Sequence, residues 1–94
     1  VWVQNVDMEE DGNTCVTLLA RGLEEELQLH LALYQGGKMV ANAMKSVSVW
    51  DGSKEIDLNL GQLPEGEYTY AVYLLGQKNL APLIPKYSCD IILN

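Results

Sequence analysis

One histidine, two cysteines and six cations leave this 94-residue chain little with which to do the commoner chemistries. Nucleophilic catalysis needs a nucleophile, a base and an orienting group held together. The only histidine, His30, falls in the middle of a strand-like run on its expected outer face, with no evident Cys or Ser partner, and reads as a surface strand residue. Cys15 and Cys89 form neither a Cys-x-x-Cys pair nor a metal motif. The strands assigned below put the two thiols in different sheets, so no bridge between them is expected, and two thiols do not fix a compartment. No glycine-rich phosphate loop stands between a strand and a helix. Cations are scarce against 13 acids, giving a formal charge of −7 and a pI near 4.4. Nucleic-acid phosphates and anionic lipid surfaces would be repelled, which argues against both as partners. No apolar run approaches a membrane span, and the chain opens on strand-like Val1-Trp2-Val3 without a basic, apolar, small-residue leader. A single domain over residues 1–94, excised from a longer protein, is the expectation.

The acids that dominate the charge cluster as Glu9-Glu10-Asp11, with Asp7 nearby, and as Glu24-Glu25-Glu26. The first group offers oxygen ligands of the kind calcium takes, but its spacing matches no calcium-loop motif. Both clusters read as solvated loops, and no metal or other cofactor is expected. Paired carboxylates for glycoside hydrolysis would need a cleft, and a chain this short without long insertions offers none, so an enzyme is not expected.

Eight glycines punctuate short apolar runs about every ten residues, the rhythm of an all-β sandwich or barrel. Strands are predicted over 1–7, 14–20, 27–35, 38–50, 55–60, 67–75 and 87–93. The stretch from Leu23 to Gln35 is rich in helix formers. Its periodicity nevertheless decides for a strand: Leu27, Leu29, Leu31 and Leu33 alternate with Gln28, His30, Ala32 and Tyr34. A helix would throw those leucines to opposite sides. Gly36-Gly37 then makes a two-residue hairpin turn, using the positive φ that glycine adopts freely. In the next strands Ile56, Leu58 and Leu60, and then Tyr68, Tyr70, Val72 and Leu74, are predicted to point inward, leaving Thr69, Ala71 and Tyr73 outside.

The run Leu63-Pro64-Glu65-Gly66-Glu67-Tyr68 uses a Pro/Gly turn to deliver a tyrosine to the start of an alternating strand. With Gly66-x-Tyr68-x-Tyr70, it resembles the tyrosine corner of immunoglobulin-like and fibronectin type III modules, and most closely the Ig-like modules of bacterial secreted and surface proteins. The resemblance implies a seven-stranded antiparallel Greek-key β-sandwich in which Gly66 and Tyr68 are structural. Antibody-type domains carry a cysteine two residues after that tyrosine and a tryptophan in the third strand; Tyr70 and an all-leucine face stand there instead. The disulfide-bonded antibody type is therefore not expected.

Two surfaces follow from this reading. The loops over 21–26, 51–54 and 76–86 would share one end of the sandwich and bring together Leu23, Trp50, Leu80, Leu83 and Ile84. By resemblance that end is a candidate partner contact; folded inward, the same side chains would instead lid the core. On an outer sheet face, His30, Tyr34 and Tyr73 lie side by side as a candidate glycan platform for polysaccharide. The expected function is non-catalytic, spacing neighbouring domains or contacting another protein, at a cell surface or outside the cell. The alternatives are a carbohydrate-binding module, or a small protease inhibitor using Leu80-Ala81-Pro82-Leu83-Ile84-Pro85 as its wedge.

Overall fold

Alternation between apolar and polar side chains runs through most of the strands of the computed structural model, which describes residues 1–9, 11–23, 25–76 and 87–93. Among the described residues seven strands form: β1 (Trp2–Met8), β2 (Asn13–Ala20), β3 (Leu27–Gln35), β4 (Lys38–Val47), β5 (Gly52–Asn59), β6 (Gly66–Gly76) and β7 (Tyr87–Leu93). They make two wholly antiparallel sheets, a three-stranded one ordered β1-β2-β5 and a four-stranded one ordered β4-β3-β6-β7. The chain changes sheet three times, between β2 and β3, β4 and β5, and β5 and β6.

The two inner faces make one core. Val16 and Leu18 come from β2, Ile56 and Leu58 from β5, and the four leucines of β3 are all fully buried beneath them. From β6 come Tyr68, Tyr70, Val72 and Leu74, every one of them inward as the alternation predicts. The β3–β4 hairpin turns on Gly36 and Gly37, whose φ values of 59° and 81° are those of a primed two-residue turn.

Two bulges explain where simple alternation breaks. In β1 the register with β2 shifts between Val3 and Asn5, so the inward set passes from Val1 and Val3 to Val6 and Met8. In β4 the shift opposite Leu33 and Tyr34 leaves Val40 unpaired, and both Met39 and Met44 consequently lie on the outer face.

Several sequence expectations need correction. β4 stops at Val47 rather than Trp50, because Val47 pairs with Leu27, the first residue of β3, and beyond it there is no strand to bond. β5 starts at Gly52 rather than Glu55, since β2 continues to Ala20 and offers partners for Gly52, Ser53 and Lys54. Ala71, expected outside, is fully buried. It shares a cross-strand row with Ala32, and the neighbouring rows carry Tyr34 and Tyr73, whose hydroxyls meet at 3.5 Å across it.

Strand direction fixes the ends. Ala20, Leu27, Val47, Gly52 and Gly76 lie at one end of the sandwich, with Trp2 beside Leu19. At the other end lie Met8, Asn13, the Gly36-Gly37 turn, Asn59 and Gly66, with Leu93 paired to Gly66. The molecule measures 39 × 22 × 18 Å. Eleven residues of β6 span about 36 Å at roughly 3.3 Å each, so the long dimension follows the strands.

Candidate functional site

At the corner, the Tyr68 hydroxyl donates a 2.7 Å hydrogen bond to the carbonyl of Pro64 while the ring lies in the core. Proline fixes the turn, Gly66 opens β6, and the tyrosine ties the one to the other. Gly66 and Tyr68 thus hold the crossing from the small sheet to the large one, and present no reactive group.

The loop end gathers fewer side chains than the sequence placed there. Leu23 and Trp50 are both half-buried and pack against the core. The Trp50 indole donates through Nε1 to the Gly52 carbonyl at 2.9 Å, and the Lys54 ammonium lies 5.8 Å from the ring centroid. These two residues act as a lid. Leu80, Leu83 and Ile84, and with them the inhibitor-like wedge, lie outside the described residues.

The outer face of the four-stranded sheet does bring its aromatic residues together. His30 pairs with Tyr73 across β3 and β6 and with Met44 across β3 and β4, and Tyr34 stands four residues further along β3 on the same face. All three of His30, Tyr34 and Tyr73 are half-buried. Their polar atoms are turned toward neighbours: His30 Nε2 lies 3.4 Å from Gln28 Oε1, and the two phenols lie 3.5 Å apart. An open depression of about 320 Å³ is lined here by His30, Ala32, Met39, Asn42, Met44 and Tyr73. Trp50 belongs to the β4–β5 connection at the end of the sandwich and adds nothing to this face. The sequence reading missed the methionines, because a bulge, invisible in composition, puts Met39 and Met44 on one side.

In the acidic turn, both Asp11 carboxylate oxygens are taken up locally, by the Asn13 amide at 3.0 Å and its side chain at 2.9 Å. Asn59 Nδ2 donates to Asn13 Oδ1 and extends that network across to β5. Asp7 and Glu9 instead line an open depression with Asp57. Glu10 and Glu24 lie outside the described residues; Glu25 is half-buried and Glu26 exposed. Among the described residues no group of three or more His, Cys, Asp or Glu side chains is placed to hold a metal ion.

The cysteines are free and sit in different sheets, Cys15 on β2 and Cys89 on β7. Cys15 pairs with Asp7 on one side and Asp57 on the other. Burial first, and then the Glu55 and Asp57 carboxylates, push its thiol above the ordinary value. That is the opposite of what an activated thiol needs.

No family model, no curated protein and no solved structure matches the chain.

Proposed function

We propose that this chain is a non-catalytic immunoglobulin-like module, of the fibronectin type III kind, that spaces its neighbours in a larger secreted or surface protein. The observation that carries the reading is the placement of the first and last strands. The chain enters β1 at one end of the long dimension and leaves β7 at the other, so any sequence continuing beyond it would depart on opposite sides. A rigid body with that threading sets a distance, which is what a spacer does.

The fold resemblance rests on the corner and on strand order. A β1-β2-β5 sheet facing a β4-β3-β6-β7 sheet is the arrangement that a Greek-key sandwich of this kind would have, and the Tyr68 to Pro64 bond is the corner's own contact. Fold alone does not give function, and the spacing role is argued from the threading. The absence of a catalytic role is part of the proposal; the thiol set beside carboxylates, Cys15, is held protonated by burial and by them rather than activated.

Replacement in the parent protein tests it. An unrelated sandwich of similar length, with chain ends at opposite poles, should restore the parent's activity after the module is removed. A Gly/Ser linker of equal residue count should not, because a flexible chain sets no fixed distance. Loss of activity with the rigid substitute would overturn the spacing role and leave specific contact as the function.

A further inference from the structure

The two sheets have four margins, and three of them are guarded against further strands. β1 is interrupted by the bulge between Val3 and Asn5. β5 carries Lys54, Glu55 and Asp57 in quick succession. β4 has its own bulge, and Lys45 on its inner-facing row, with the ammonium turned to the Asp57 carbonyl at 3.2 Å. Bulges and inward charges of this kind are the usual means of closing a sheet edge.

β7 has neither a bulge nor an inward charge, and its single charged residue, Asp90, faces outward. Its register with β6 runs unbroken from Gly66 opposite Leu93 to Val72 opposite Tyr87, and Tyr87–Leu93 contains no Lys, Arg or Pro. Among the described residues no strand pairs with its free side, and Tyr87, Ser88, Cys89, Asp90 and Ile92 are exposed, Ile92 to 63%. A regular, exposed edge is the template that strand addition uses.

The chemistry beside that edge selects the occupant. A depression of about 380 Å³ opens just inboard of it on the outer face of the sheet, over β6 between β3 and β7, lined among others by Tyr34, Glu67, Thr69, Asp90 and Ile92. Neither β6 nor β7 carries a cation, so the carboxylates of Glu67 and Asp90 stand without a basic residue on either strand. Asp90 Oδ1 accepts from the Thr69 hydroxyl at 2.8 Å, which fixes the carboxylate in place while leaving it acceptor capacity. A second copy of this chain would bring the same −7 charge and the same acidic edge, and is repelled. An extended cationic segment is attracted.

We infer that the free edge of β7 takes up such a segment of a partner protein as a fifth strand of the sheet. A Lys or Arg side chain enters the depression by Glu67 and Asp90. An apolar side chain two residues along the same strand face covers Ile92, as the spacing of Asp90 and Ile92 requires. This holds whether or not the module also spaces neighbours.

The test is a titration of the isotopically labelled chain with a capped nine-residue peptide whose one strand face carries lysine and valine two residues apart, with threonine at the positions between, followed by backbone amide shifts, with the same peptide bearing glutamate in place of lysine as the comparison. Saturable shifts should be confined to β7 and to Glu67 to Thr69 on β6, weaken as salt is raised, and appear only with the cationic peptide. The double variant Glu67→Gln with Asp90→Asn, altering two exposed positions at the rim, should keep the fold's amide spectrum and lose at least tenfold in affinity. No shift at all, shifts centred on β4, equal binding of the acidic peptide, unchanged affinity in the double variant, or self-association through β7 would each overturn the inference.

Discussion

Tyr68 carries two separable contributions, a buried ring and a hydrogen bond. Tyr68→Phe keeps the ring and leaves the Pro64 carbonyl to water, and should cost about 1 kcal/mol in urea unfolding. Tyr68→Ala removes the ring as well and should cost about 3–5 kcal/mol, a large share of what a domain of this size has. Gly12 is constrained more tightly. At φ 89° it bonds through its amide to Glu9 and through its carbonyl to Leu60, and a Cβ there would drive into the backbone of Gly61. Gly12→Ala should therefore destabilise by more than about 1 kcal/mol from φ alone, with the clash adding to it.

Tyr70 gives a pH dependence. Burial, then the Cys89 thiol beside it and the neighbouring Tyr87, push its phenol well above the ordinary tyrosine value of 10.0. The folded chain keeps that proton where the unfolded chain releases it, so the contribution is whole below pH 10 and is lost as pH rises beyond it. The urea midpoint should fall from pH 10 to about 11, and Tyr70→Phe should remove part of that fall.

At the scale of the element, the strands with strict alternation were legible and those with bulges were not. Leu27 to Leu33 and Tyr68 to Leu74 announce their buried faces because every second residue is apolar and large. In Val1 to Met8 and Lys38 to Val47 the inward set changes parity midway, which depends on register with a partner strand and so leaves no mark in a single run of sequence. Strand ends were misjudged for the same reason, since Gly52 and Val47 are set by how far β2 and β3 extend beside them. Lys45 shows the energetic counterpart. Its inner-facing position on an edge strand adds little packing but discourages pairing with another chain. Lys45→Val should shift stability by no more than about 1 kcal/mol while raising the apparent mass in light scattering at high protein concentration.

At the scale of the whole molecule, the sequence showed the all-β architecture and little of the working surface. His30 and Tyr73 were rightly expected side by side, because alternation alone fixes which residues share a face. The depression beside β7 combines Tyr34, Glu67 and Asp90 from three strands, and no local pattern relates residues so far apart in the chain. Threading from end to end likewise emerges only once strand order is known. It is also the basis of the proposed spacing role, and it can be measured directly. With one fluorophore ahead of Trp2 and another after Leu93, single-molecule energy transfer should report one narrow population near the 39 Å long dimension, unchanged up to the onset of unfolding. A separation at or below the 22 Å transverse dimension, or a broad distribution under native conditions, would contradict the account.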